Sequence, residues 1–235
     1  MSTAVSAPSA CLSTSRPSPL PRPEIDMAEL VWPELYFVRH GETDWNAEGR
    51  YQGSRDIPLN NRGRGQADLN GKLLSQLLAR DGRVATDFTW YVSPLGRTRE
   101  TMDRVRAGVG EPLPDLTIDK RLIEISFGIY EGRLHTEVAE KEMPIAGERD
   151  GDFWFFRPSE GESYEDVASR VMDFGASLTG PSVIVSHGGI LRVLRHLIEG
   201  FPQERAVNWF PPQDSVIHFI DGKSVVYPAG QSWDD

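Results

Sequence analysis

The sequence predicts an α/β domain of three layers, a mostly parallel central sheet with helices on both faces. Two observations carry this. Short apolar runs alternate along the chain with longer stretches that are apolar at helical spacing, the mark of strands joined by crossover helices. The length, 235 residues, is enough for one good-sized α/β domain, or two small ones, with a sizeable core.

The elements follow in order. Residues 1–26 are rich in Ser, Thr, Ala and Pro, with five prolines between Pro8 and Pro23, so a disordered N-terminal tail is expected. It has no apolar segment of a secretory signal. Its serines, with Arg16 and Arg22 and no acid before Glu24, weakly resemble an organelle transit peptide, but its prolines oppose an amphipathic helix. The preferred reading makes Met27 the natural start, with the domain spanning 27–235.

Strands are expected at Leu35–Val38, Phe88–Val92, Leu116–Ile118, Ser182–Val185 and Ser215–Ile220. Helices are expected at Gly65–Leu78, on a stripe of Ala67, Leu69, Leu73, Leu74, Leu77 and Leu78, and at Gly96–Arg106. Two more fall at Tyr164–Leu178, with Val167, Val171, Phe174 and Leu178 on one face, and at Gly189–Ile198. Residues 133–163 are irregular and place Phe153, Trp154, Phe155 and Phe156 among charges. They read as a cap-like insertion over one sheet edge.

Charge and composition narrow the partners. The net charge is −10 and the pI about 5.0, so neither nucleic acid nor anionic lipid is an expected partner. No run approaches the ~18 apolar residues of a membrane helix. The single cysteine, Cys11, excludes an intramolecular disulfide and a Cys-rich metal site and suits a reducing cytosol. A cytoplasmic protein is expected. Its oligomeric state is open, a dimer included.

In open parallel sheets ligands bind beyond the carboxyl ends of the strands. Arg39-His40 follows the first run, Ser93–Arg97 the second, Arg121 and Glu124 the third, and Ser186-His187-Gly188-Gly189 the fourth. Any one of these alone is ordinary surface or a turn. Together they would bring two histidines, arginines and a carboxylate to one place. Guanidinium groups grip a tetrahedral oxyanion with forked hydrogen bonds. A neutral imidazole is a competent nucleophile at phosphorus, and Arg39 and Arg97 would keep it neutral. A nearby carboxyl group can protonate a leaving alkoxide and then deprotonate water. Gly41, Gly188 and Gly189 permit close backbone approach, and helices opening near Gly96 and Gly189 would turn N–H groups toward an anion.

Four blocks in this order, "RHGETDWN" (39–46), "SPLGRTRET" (93–101), "LIEISFGIYEG" (122–132) and "VSHGGILRVL" (185–194), resemble the histidine phosphatase superfamily, also called phosphoglycerate mutase-like. "PLNNRGRGQA" (58–67) adds a fifth. The resemblance spans Leu35 to Phe219 and implies the phosphoglycerate mutase-like fold. It makes His40 the phosphorylated nucleophile and Glu124 the general acid and base. Arg39, Arg97 and His187 would complete the phosphate pocket, and Asn46, Gln52, Gly53 and Gly188 would contact substrate. It implies a small-molecule phosphomonoester as partner and neither metal nor organic cofactor. Mutases of this family typically follow the glutamate with Arg-His-Tyr-Gly. Here Ile125-Ser126-Phe127-Gly128 follows, as in the phosphatase branch. Hydrolysis is therefore expected, with mutase activity or an inactive phospho-ligand-binding module as the alternatives. Substrate choice should come from 133–163 and from the loop at Arg50–Arg55. His135, His196 and His218 are expected to be structural.

Overall fold

Leu35 and Phe37 enter one hydrophobic cluster while Tyr36 and Val38, between and after them, enter another. Successive side chains of a strand point to opposite faces, so a strand buried on both sides reads as an unbroken apolar run. The computed structural model describes residues 30–139 and 153–230. The tail at 1–26 and part of the 133–163 segment lie outside them.

Six strands form one sheet: β1 (Leu35–Arg39), β2 (Thr89–Val92), β3 (Leu116–Ile118), β4 (Ser182–Ser186), β5 (Ser215–Ile220) and β6 (Lys223–Pro228). Their order is β3-β2-β4-β1-β5-β6. β3, β2, β4 and β1 pair in parallel, whereas β5 is antiparallel to β1 and to β6. The expected fold class is borne out, with an antiparallel hairpin at one edge. β6 has its own signal in the sequence. Asp221 and Gly222 have φ of 52° and 73° and join β5 to β6 with Ile220 opposite Lys223. Asp-Gly suits the two-residue turn that joins antiparallel strands.

The helices are α1 (Asp44–Glu48), α2 (Asn61–Arg80), α3 (Gly96–Val109), α4 (His135–Ala139), α5 (Tyr164–Gly175), α6 (Gly188–Glu199) and α7 (Gln203–Asn208). α2 and α3 supply the cluster on one face of the sheet, and α5, α6 and α7 the cluster on the other. One expected stripe residue is misplaced. Leu69 of α2 is exposed, because it lies two residues from Ala67 and so on the far side of a 3.6-residue turn. The 164–178 helix is shorter than expected and ends at Gly175. Its start is fixed by Ser163, whose side chain accepts from the Asp166 N–H while the Asp166 carboxylate accepts from the Ser163 N–H at 2.8 Å, a reciprocal cap. Among the described residues no helix is long and apolar enough to cross a membrane.

Candidate active site

Parallel register builds the site. Arg39 of β1 stands opposite Ser186 of β4, so the next residue of each strand, His40 and His187, leaves the sheet side by side. Their rings lie 5.2 Å apart, centroid to centroid. β2 pairs Val92 with Val185, so Ser93 emerges beside them, and its hydroxyl bonds His187 Nε2 at 2.7 Å. Glu124 is held to the same sheet end because Ser186 Oγ donates to the Leu122 carbonyl at 2.7 Å.

The tautomer of His40 follows from its partner. Nδ1 lies 2.8 Å from the Gly41 carbonyl, which can only accept, so Nδ1 carries the proton and Nε2 keeps the lone pair. The ring is 1% exposed. Burial, then Arg97, then Arg39 push its pKa well below the ordinary histidine value, so it is neutral across the physiological range. His187 is lowered well below that value too, mainly by burial and next by Arg97.

Each surrounding group has a nitrogen to spare. Arg39 donates through Nη1 to the Pro211 carbonyl at 2.6 Å. Arg97 donates through Nη1 and Nη2 to the carbonyls of Arg55 and Gly53, at 2.6 and 2.8 Å. The Nε atoms of both arginines and Nδ1 of His187 are buried and without a partner. Buried polar groups are nearly always hydrogen-bonded, so three unmet nitrogens near one imidazole are suited chemically to an anion's oxygens. Burial lowers the pKa of Arg39 to about 10, which leaves it charged at neutral pH. The Arg97–Asp56 ion pair spans 3.8 Å with Asp56 half exposed and offsets little of the Arg97 charge.

The two amides named from sequence show the same logic. Asn46 Oδ1 accepts from the Thr43 N–H at 3.2 Å and from Gln213 Nε2 at 3.1 Å, which leaves its NH₂ group as the free end. Gln52 Oε1 takes the Thr43 hydroxyl at 2.8 Å, with the same consequence. Gly53 has φ +54°, and a Cβ there would stand 2.1 Å from Glu131 Oε1, so only glycine holds this carbonyl against Arg97.

Arg39, His40, Asn46, Gln52, Gly53, Glu124 and Gly188 all line one cavity of about 350 Å³. Arg97 and His187 lie buried beside His40 rather than in the lining. The expected site residues therefore converge.

Other expectations do not hold. The two N–H groups expected to face an anion are taken by carboxylates. The Gly96 N–H donates to Asp56 at 2.7 Å, and the Gly189 N–H to Glu124 Oε1 at 3.0 Å. A Cβ on Gly189 would lie 2.4 Å from that carboxylate oxygen. Arg121 is away from the cavity, paired with Asp119 at 2.6 Å and donating to the Asp173 carbonyl. Arg50, Arg55, Arg62 and Arg64, which the sequence offers either as a positive rim or as plain solvated surface, each meet a carboxylate, and Arg50 alone of them lines the cavity. His135, expected to be structural, is in the lining too, edge-on to Tyr51 at 4.3 Å. His196 and His218 bond the Phe201 carbonyl and Glu34 and are structural as expected.

The aromatic run divides. Trp154 is buried in the core and Phe153 lines the cavity, so the run both packs on the domain and walls the cavity. Sequence reasoning missed Tyr164, Arg192 and the 208–211 stretch in the lining, and Gln213, whose Nε2 also donates to the His40 carbonyl at 3.1 Å. For Arg192 a signal existed: it lies one helical turn after Gly188, hence on the same face of α6.

Fold and pocket together define an α/β protein with an anion-complementary site at its strand ends, built around a buried neutral histidine. The chain belongs to the histidine phosphatase superfamily (branch 1), whose sequence profile matches residues 35–225. It is 34% identical over 179 residues, 72% of this chain and 76% of the other, to a Cronobacter sakazakii protein named "Probable phosphoglycerate mutase GpmB". Among solved structures it is similar to the alpha-ribazole phosphatase of Shigella flexneri, with TM-score 0.64 and 28% identity over 84% of this chain and 96% of that one. The mycobacterial glucosyl-3-phosphoglycerate phosphatase is also similar, with TM-score 0.64 and 25% identity over 84% and 100%.

Proposed function

We propose that this protein hydrolyses a small phosphomonoester through a phosphohistidine on His40. The observation that carries the reading is the set of buried, unpartnered nitrogens, Arg39 Nε, Arg97 Nε and His187 Nδ1, around a ring whose Nε2 holds a lone pair. A phosphoryl group seated there meets N–H donors fixed before it arrives, the arrangement that stabilises developing charge most effectively.

The chemistry runs in two steps. His40 Nε2 attacks phosphorus in line, forming the N–P bond as the ester P–O bond breaks. The Glu124 carboxyl group gives its proton to the departing alcohol oxygen. The Nδ1–H bond to the Gly41 carbonyl supports the positive charge that grows on the ring. In the second step a water oxygen attacks phosphorus, Glu124 takes the water proton, and the N–P bond breaks to release phosphate and neutral His40. Glu124 is aimed by the Gly189 and Ile125 N–H groups, each at 3.0 Å. Asn46 and Gln52 turn their free NH₂ ends to the phosphoryl oxygens.

A mutase reading draws on the name carried by the relatives 34–36% identical to this chain. Against it stands the wall after Glu124. The N–H groups of Ser126 and Phe127 are taken by Glu162 and Glu131, at 3.0 and 3.2 Å, and the described residues of this segment bring no arginine to the cavity. An aryl phosphate assay with and without 2,3-bisphosphoglycerate separates the readings. Turnover without the bisphosphate and an acid-labile, base-stable label on His40 are expected. Full turnover by His40→Ala would refute the scheme, and bisphosphate-primed interconversion of monophosphoglycerates would favour the mutase. A phospho-ligand-binding module would bind without turnover.

A further inference from the structure

Three arginines line the cavity, and they are not alike. Arg50 is neutralised by Glu48, and Arg39 belongs to the phosphate cradle. Arg192 is the third. Its Nε donates to the Trp209 carbonyl at 2.7 Å and its Nη1 to the Tyr164 hydroxyl at 2.8 Å. No described carboxylate lies within ion-pair distance of it, and its Nη2 edge has no described partner. In a chain of net charge −10, a cavity cation left without a counter-charge is uncommon and points to a ligand that supplies one.

Tyr164 adds a second donor. Its oxygen accepts from Arg192, its own proton meets no described acceptor, and the residue is 2% exposed. Burial raises its pKa, so the hydroxyl keeps that proton at neutral pH. An N–H edge and an O–H thus stand together, both able only to donate to a ligand oxygen.

The placement relative to the phosphate cradle is set by one short stretch of chain. Trp209 O holds Arg192 and Pro211 O holds Arg39. Two residues separate these carbonyls by at most about 7 Å. Phe210, between them, lies under the Arg192 guanidinium at 5.8 Å, and Phe127 and Phe153 complete an apolar wall. The second cation therefore stands within a small molecule's length of the first, in the cavity that Glu124, the proposed proton donor to the alcohol, also lines.

We propose that Arg192 and Tyr164 form a subsite for a carboxylate on the leaving alcohol, so that the substrates are phosphomonoesters of small, apolar-bodied hydroxy acids. This rests on the hydrolase reading above and adds the substrate class to it. A carboxylate accepts from both donors at once, whereas an uncharged alcohol leaves Arg192 uncompensated.

The test compares carboxyphenyl phosphates, in the 2-, 3- and 4-isomers, with the corresponding carbamoylphenyl phosphates, which match them in shape and lack the charge. The wild-type protein is expected to prefer at least one carboxylate isomer by about tenfold or more in kcat/KM. That ratio should fall toward one in Arg192→Gln, recover in part in Arg192→Lys, and fall about threefold in Tyr164→Phe. Because the readout is a ratio, a general loss of folding or turnover cancels. A ratio near one for all isomers in the wild type, or a preference untouched by Arg192→Gln and Tyr164→Phe, would overturn the proposal. The same preference is read without turnover from the Tm shifts given by the matching aryl phosphonates. Absence of hydrolysis would then sink the hydrolase reading alone, while equal shifts from charged and uncharged phosphonates would sink the subsite.

Discussion

Replacing Arg97 by Lys keeps a charge and removes a shape, which makes it the sharpest test of the cradle. The Arg97 guanidinium holds the carbonyls of Arg55 and Gly53 with its two terminal nitrogens and leaves Nε free for the anion. A lysine has one nitrogen at the end of a flexible stem. It cannot satisfy both carbonyls and also stand where Nε stood. Losing one preorganised donor costs about 2.7–4 kcal/mol, or about 10²–10³ in kcat. Were charge alone responsible, the outcome would differ. An attraction of about 4 kcal/mol at ~4 Å and an effective dielectric of ~20 would survive in Lys, and kcat would fall less than about tenfold. The assay is steady-state hydrolysis of an aryl phosphate at pH 7 with thermal unfolding measured in parallel. A kcat within about tenfold of wild type in a folded Arg97→Lys protein would refute the reasoning. Arg97→Met removes the charge as well. It lifts one of the causes that depress His40, so the acid limb of kcat/KM should move to higher pH. Burial, the larger cause, remains and keeps that limb below 6.5.

Stability should depend on pH in a defined window. His40 and His187 are held neutral in the fold, their pKa well below the ordinary histidine value of 6.5. Below pH 6.5 the unfolded chain binds protons that the folded chain refuses, so stability is full above 6.5 and declines by about 1.4 kcal/mol per pH unit for each histidine as pH falls toward the folded values. His135, also lowered, adds to the slope. Denaturant unfolding between pH 7 and 5 measures it, and a flat profile would contradict the buried neutral pair. Ser93→Ala removes the hydroxyl bonded to His187 Nε2 and should lower kcat/KM about tenfold while costing about 1 kcal/mol of stability. A change in KM alone would argue against a role in setting the His187 tautomer. Tyr36→Phe deletes the 2.8 Å bond to Asp81 outside the cavity. It should lower Tm by a few degrees and leave kcat/KM unaltered, and a large kinetic effect would show coupling that the contacts do not.

Much of this protein is written locally. Among the described residues five of the six strands, four of the seven helices and the residues of the proposed phosphate cradle are legible, because an apolar run or stripe declares its own burial and a strand end in a parallel sheet is where ligands bind. The short elements α1, α4 and α7 carry too few residues for a period to emerge, and β6 was signalled only by the turn before it. What no local pattern could decide is register. That His40 meets His187, and Ser93 meets both strands' ends, depends on Arg39 pairing with Ser186 and Val92 with Val185. A slip of one residue would turn each of these side chains to the opposite face. Only the folded chain shows Asp56 and Glu124 taking the Gly96 and Gly189 N–H groups and Arg192 lining the cavity beside Tyr164. Those outcomes arise from side chains competing for the same few donors across long sequence separations, and that competition exists only once the three layers have closed.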